Sequence, residues 1–315
     1  MNERAGEFRF GLLLVLGAVL IWGGQLPVAK SAMHVVDGYS MSVVRYGVAV
    51  ALFTSLLVIR EGTSALRFEG RGALLAVAGG FGIAGSALLV FVGLAMTRPE
   101  VAVIILMLQP AMTAMAQWLL RGIRPAPFTI ACLCLAFCGV VIAVTRGGDA
   151  LNVTAGMDAQ ELIGNGLVFL GAVAWITYTL MLGLFAGWSA LRFTALTALP
   201  GFLVILLVWC VAWMSGAAIW PSSAALASVA PELIYVSLFG VVAAMFLWNA
   251  GNRRIGPLNT ILLLNLMPVV TFAIRHFQGA TFAVSELAGA ALVVGALVAN
   301  NLYERRRQQR RPGAA

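Results

Sequence analysis

The feature that most constrains this chain is a succession of apolar runs, each near bilayer-spanning length and each closed by a short polar break. A helix needs roughly 20 apolar residues to cross the hydrocarbon core. The sequence offers such runs near 10–32, 41–59, 73–96, 101–120, 126–145, 162–183, 191–214, 233–252, 257–276 and 285–303. Lipid supplies no partner for a backbone N–H or C=O, so these runs read as helices that pair their own backbones. The expected fold is an all-α membrane protein of about ten transmembrane helices. Composition agrees: 61% of residues are hydrophobic and 10% charged, against about 25% charged in soluble domains. The first run ends in Trp22-Gly23-Gly24-Gln25 with no small-residue cleavage site, so it is expected to stay as the first helix rather than leave as a signal peptide. The break "GAAIWPSSAALASVAPE" is moderately apolar and reads as a segment lying along the interface.

The net charge of +8 invites a nucleic-acid reading. The positions of the basic residues exclude it. With the N-terminus inside and the spans alternating, Lys30, Arg98, Arg146 and Arg275 fall outside, Arg45 falls within a span, and the other 15 of the 20 basic residues fall inside. That asymmetry is the positive-inside pattern. It places both termini in the cytoplasm, with residues 304–315 as a basic tail. The four cysteines, Cys132, Cys134, Cys138 and Cys210, all sit in apolar stretches and read as packing residues.

The runs divide into five and five around a central polar loop, giving candidate repeats over 10–146 and 161–303. Each opens with a helix carrying a mid-span tryptophan, Trp22 or Trp175, and each has a proline in its fourth helix, Pro110 or Pro268. A repeat with an odd number of spans inserts its second copy upside down. That is the plan of many secondary transporters, with a binding site near the midplane between the halves. Small residues at four-residue spacing, Ala78-Gly82-Ser86 and Ala291-Gly295-Ala299, read as faces for tight helix packing.

The candidate site residues follow from what is costly in lipid. Gly23, Gly24 and Pro27 weaken or kink the first helix beside Trp22 and Gln25. Pro110 and Pro268 each free a carbonyl one turn back, near Gln109 and Asn265. Trp175 and Tyr178 share a helix face, and Trp248, Asn249 and Asn252 cluster in the eighth span. Arg45 is the one basic residue well inside a span, and an intramembrane charge is a functional-site hypothesis by default. Asp37 or a substrate carboxylate could pair with it; snorkelling to the interface is the alternative. The substrate contacts expected are therefore Trp22, Gln25, Arg45, Gln109, Trp175, Tyr178, Trp248, Asn249 and Asn265, with Gly23, Gly24, Pro27, Pro110 and Pro268 as hinges.

No carboxylate lies mid-span, and neither a phosphate-binding Gly-x-x-x-x-Gly-Lys loop nor a His-Glu-x-x-His metal motif is present. The reading is passive or exchange transport, without ATP hydrolysis, cofactor or metal. Its partners are a small-molecule substrate and the lipid bilayer; no nucleic acid is expected, and the oligomeric state is open.

The ten spans, the "WGG" of the first helix, Arg45 in the second, the Pro110…Trp118-Leu119-Leu120…Gly122 pattern and its counterpart at Pro268 and Gly279 together resemble the drug/metabolite transporter superfamily, in its EamA-type branch. The resemblance covers roughly 10–303. It implies two inverted five-helix repeats around a central cavity, and export or exchange of small organic molecules, amino acids included, across the bacterial inner membrane. One departure stands out: where family members commonly carry a Glu after the hairpin glycine, this chain has Ile123 and Ala280. The expected function is export of an amino acid or similar amphipathic metabolite by alternating access. A membrane-embedded enzyme acting on a lipid or prenyl substrate would want clustered carboxylates, histidines or a metal, and the 12 acidic residues are scattered. A non-transporting membrane subunit stays open.

Overall fold

A computed structural model of the chain describes residues 2–122, 124–145, 158–185, 187–255 and 263–309, and no strand occurs among them. In chain order the helices are α1 (Asn2–Ala32), α2 (Gly38–Glu61), α3 (Gly72–Met96), α4 (Pro99–Leu106), α5 (Gln109–Arg121), α6 (Pro127–Thr145), α7 (Ala159–Leu182), α8 (Ala190–Met214) and the short α9 (Ser223–Ser228). There follow α10, built of Ala230–Ile234, Tyr235–Ala243 and Ala244–Ile255, then α11 (Met267–Phe277) and α12 (Val284–Gln309). Eight stretches among the described residues are long and apolar enough to cross a membrane: α1, α2, α3, α6, α7, α8, α10 and α12. They lie on the first, second, third, fifth, sixth, seventh, eighth and tenth expected spans. The fourth expected span is interrupted between α4 and α5, and part of the ninth, residues 257–262, lies outside the described residues.

The helices gather into two compact units assembled from separate stretches of chain. The first unit holds Met1–Gly24, Pro99–Leu162 and Phe246–Ala315. Its firmest packing is α6 on α12. A Cβ placed on Gly289 would fall 2.5 Å from the Gly139 carbonyl oxygen, and one on Gly139 would fall 2.8 Å from the Gly289 carbonyl. The two helices thus meet through bare backbone, which is how small residues promote association in lipid. The expected face of Ala291, Gly295 and Ala299 is not the one used: Gly295 is exposed with nothing near it, while Ala290, Val293, Ala296 and Leu297 are buried. Small residues occur on adjacent faces of α12, and spacing alone did not distinguish the face beginning at Gly289.

The second unit holds Gln25–Arg98 and Ile163–Met245. Here α2 packs on α8, and each also packs on a widened helix: α8 on part of α3, and α2 on part of α10. Asp37 starts α2, its carboxylate accepting from the Ser40 backbone N–H at 2.8 Å and from the Ser40 hydroxyl at 2.9 Å. The same carboxylate accepts from the Ile219 N–H at 3.2 Å. That bond, with Trp209 set edge-on to Trp220, fastens the segment before α9 to the start of α2. Lys30 donates to the carbonyls of Leu94 and Ala95, at 2.6 and 2.7 Å, where α3 ends.

Two local devices recur at one constant offset along the chain. Within α3, Ala78–Gly85 is a π-helix; within α10, so is Tyr235–Ala243. Aligning Phe81 with Phe239 and Gly82 with Gly240 superimposes their buried positions: Ala78, Gly79, Gly82, Ile83 and Ala84 on Val236, Ser237, Gly240, Val241 and Val242. The same offset aligns two helix restarts. Leu108 (φ −72°, ψ −10°) precedes Gln109-Pro110, and Leu266 (φ −81°, ψ −15°) precedes Met267-Pro268. The two positive-φ glycines that follow these helices, Gly122 and Gly279, stand one residue short of that register.

Candidate functional site

The second unit brings Gln25, Arg45 and the π-helix of α10 together. The Arg45 side chain is 4% exposed. Its Nε donates to the Val236 carbonyl at 3.2 Å. With the Gln25 amide assigned from its partners, the Gln25 oxygen accepts from Arg45 Nη2 at 2.7 Å and its nitrogen donates to the Gly240 carbonyl at 3.1 Å. Both carbonyls belong to the π-helix, whose altered hydrogen bonding often marks functional sites. The guanidinium lies 3.8 Å from the Phe91 ring centroid, a cation–π contact strengthened by burial. Gly240 is needed for this approach, because a Cβ there would sit 2.8 Å from the end of the Gln25 amide. Nη1 of Arg45 is buried and has no hydrogen-bond partner among the described residues. Asp37, a candidate counter-ion by sequence, is engaged with Ser40 and Ile219 instead. No ion pair to Arg45 exists among the described residues.

The other π-helix of the unit meets Tyr178 and α8. A Cβ on Gly82 would lie 2.7 Å from Tyr178 Cβ, and one on Gly201 would lie 2.9 Å from the Gly79 carbonyl oxygen. Tyr178 stacks between Trp175 and Phe193, each centroid 5.1 Å away, and its hydroxyl is 3.4 Å from Thr194 Oγ1. Thr197, fully buried, donates to the Phe193 carbonyl at 2.7 Å. This cluster is uncharged.

In the first unit the indole rings of Trp22 and Trp248 meet at 5.2 Å. Trp248 packs on the cluster of Val15, Val19 and Ile255 together with Met267. Helix α1 keeps its helical backbone through Gly23, Gly24 and Pro27. Proline has no N–H, so the carbonyl of Gly23, one turn earlier, lacks its helical donor; Thr271 Oγ1 donates to it at 2.6 Å. Gly23 also admits Val270, whose Cβ would lie 2.6 Å from a Cβ at that position. Gln109 accepts at its backbone carbonyl from Thr113, and Asn265 is buried in the turn before Pro268. The side chains of Asn249 and Pro110, and residue Ile123, lie outside the described residues. Ala280 is described, and its N–H donates to the Arg275 carbonyl at 2.9 Å.

At the start of α8, Arg192 Nη2 donates to Glu69 Oε1 at 2.7 Å and Trp188 Nε1 donates to Oε2 at 2.9 Å. These bonds, Arg192 first, hold the Glu69 carboxyl below the usual carboxylate value. Arg192 also lies 4.1 Å over the Trp188 ring and donates to the Ala65 and Arg67 carbonyls, tying the start of α8 to the loop after α2.

Sequence reasoning therefore paired correctly Trp175 with Tyr178, and it singled out Gln25 and Arg45 without joining them. It missed Val236, Gly240, Phe91 and Thr271. The Phe81-Gly82 and Phe239-Gly240 pairs were the available signal for the two π-helices.

The sequence profile of the EamA-like transporter family matches residues 9–145 and again 162–302. The uncharacterized transporter YrdR of Bacillus subtilis (strain 168) is 26% identical over 306 residues, covering 96% of this chain and 94% of its own length. The uncharacterized transporter YyaM of the same organism is 26% identical over 297 residues, covering 92% and 93%. A solved crystal structure with a TM-score of 0.64 and 21% identity covers 95% of this chain and 98% of its own, a likeness of fold.

Proposed function

The chain belongs to the EamA-like transporter family, and from that premise we propose that it exports an amino acid or similar amphipathic metabolite by alternating access, without ATP hydrolysis. Membrane transport of a small molecule by a multi-pass protein is the coarser statement beneath this reading. The bacterial relatives agree with a bacterial inner-membrane location, and positive charge concentrated on one side supports cytoplasmic termini.

The observation that carries the proposal is the recurrence of the π-helix, with its Phe-Gly pair and matching buried positions, in α3 and α10. Two helices that leave the α-form at equivalent places inside a lipid-embedded unit are hard to attribute to packing alone. It supports two related halves, 10–146 and 161–303, inserted in opposite senses, and such halves are the usual basis of alternating access. In this reading ten spans are completed by α4 with α5 and by the span ending in α11. Substrate contact is assigned in one unit to Gln25, Arg45, Trp175 and Tyr178, and in the other to Trp22, Gln109, Trp248, Asn249 and Asn265. The glycines and prolines at 23, 24, 27, 110 and 268 adjust the helices that carry them. An aromatic, amide-bearing set with a single charge suits amphipathic solutes better than highly charged ones.

Counterflow tests the reading. Purified protein in liposomes preloaded with unlabelled aromatic or aliphatic amino acids is expected to accumulate the labelled compound with no ion gradient. Trp175→Ala is expected to slow this exchange while the protein stays folded. Folded protein that exchanges none of these solutes would overturn the substrate assignment.

A further inference from the structure

Arg45 is more heavily charged than its structural task requires. It holds the π-helix of α10 through the Val236 carbonyl directly and through Gln25 to the Gly240 carbonyl. The π-helix of α3 sits at equally close range against neutral groups alone: Gly82 against Tyr178, and Gly79 against Gly201. Close packing on such a helix therefore does not need a cation. A guanidinium at 4% exposure with no carboxylate partner is costly in a low-dielectric interior. The Phe91 ring and two polar partners offset part of that cost and leave Nη1 with no acceptor among the described residues.

We propose that Nη1 of Arg45 takes the carboxylate of the transported solute, so that this transporter requires an acid group on its cargo. The proposal rests on the transport reading and sharpens it to a substrate class. A bound carboxylate gives the buried Arg45 both its missing counter-charge and its missing acceptor. The charge-assisted bond is stronger than its neutral equivalent and is made where water does not compete. With Nε and Nη2 already engaged, the guanidinium is fixed in orientation and loses little freedom on binding. Because the same guanidinium holds Val236 and Gln25, arrival of the anion is also felt at the π-helix of α10.

The test uses L-phenylalanine, 3-phenylpropanoate (carboxylate without amine) and 2-phenylethylamine (amine without carboxylate), in thermal-protection and counterflow assays on the full-length protein. The two carboxylates are expected to protect the purified protein and to exchange, and the amine to do neither. Arg45→Gln is expected to weaken the carboxylates roughly tenfold or more. Because that variant could misfold, Gln25→Glu is the second: it sets a carboxylate where the Gln25 amide oxygen meets Nη2, supplying an internal counter-ion. Its ion pair with Arg45 offsets the bond to the Gly240 carbonyl that it loses, so it is expected to fold, checked by thermal unfolding, and to lose carboxylate binding. Equal protection by 2-phenylethylamine, equal protection by chloride or phosphate, no protection by any of the three compounds, or full carboxylate affinity in folded Gln25→Glu would each overturn the Arg45 assignment. Amine exchange in counterflow with no acid preference would overturn it and leave the transport reading standing. Carboxylate protection abolished in Gln25→Glu, without counterflow by the natural protein, would uphold the Arg45 site and count against transport.

Discussion

Pro27 and Thr271 form a compensating pair whose energy can be isolated. Pro27 deprives the Gly23 carbonyl of its main-chain donor, and the fully buried Thr271 hydroxyl replaces it at 2.6 Å. Thr271→Val keeps the side-chain shape and removes the hydroxyl. An orphaned buried carbonyl costs about 1–3 kcal/mol, and measured polar contacts between membrane helices average about 0.6 kcal/mol, with a maximum near 1.7. The expected loss is therefore about 1 kcal/mol, a roughly fivefold change in the folded-to-unfolded ratio. In a Pro27→Ala background residue 27 regains its N–H, which can reach the Gly23 carbonyl along the helix. The same Thr271→Val change should then cost almost nothing. The assay is reversible unfolding in mixed micelles, run on the natural protein, both single variants and the double variant. Costs for Thr271→Val that agree within about 0.3 kcal/mol in the two backgrounds would refute the claim that Thr271 stands in for the missing proline donor.

Two further outcomes follow from the second unit. Gly82→Ala should destabilise by about 1–3 kcal/mol, because its Cβ meets the Cβ and main chain of Tyr178. Gly240→Ala should cost less in the same unfolding assay, since it meets only the end of the Gln25 side chain, but it should disturb the Gln25–Arg45 bond and so slow counterflow more than its stability cost explains. Glu69 has a lowered folded-state pKa, so its stabilising contribution is complete above the ordinary carboxylate value of 4.5 and is lost as pH falls through the lowered value. Trp188 fluorescence should report loss of the Glu69 contact on that acid arm, and Glu69→Gln should remove the transition; an unchanged acid transition in the variant would assign it to another group.

The spans were legible because lipid imposes one rule on every backbone group, and continuous apolar length reports it directly. What escaped was geometry inside the spans. A π-helix differs from an α-helix by one residue in a turn, and the Ala78-Gly82-Ser86 spacing read as an α-helical face runs into a π-helix. Arg45 was conspicuous because charge is rare in lipid; its partners were not, because two are backbone carbonyls and backbone leaves no mark on composition. Thr271 was invisible for the opposite reason: it answers a defect created at Pro27, far away in sequence. Of the partners open to Arg45, Asp37 is not the one used, because Asp37 is a helix cap. A carboxylate at an N-cap is held by nearby N–H groups and has little left for a side chain further along the helix.

On the proposed reading of two related halves, the two π-helices also differ in a way that would separate the roles of those halves. Both keep the Phe-Gly pair and the same buried positions, so the widened backbone is common to them. What presses on that backbone differs. Tyr178 and α8 meet the π-helix of α3 with neutral groups, whereas Gln25 and Arg45 meet that of α10 with a guanidinium. If both contacts served packing alone, the charged one would be the poorer solution, since a well-packed neutral replacement for a buried ion is often as stable or more so. A ligand shifts a conformational equilibrium only by its difference in affinity for the two states. A charge on one of two otherwise similar helices supplies such a difference for an anionic solute, and the neutral helix supplies none. If Arg45 takes the cargo carboxylate as proposed, the asymmetry between Arg45 and the uncharged Tyr178 cluster is the element through which cargo would bias the π-helix of α10 before that of α3.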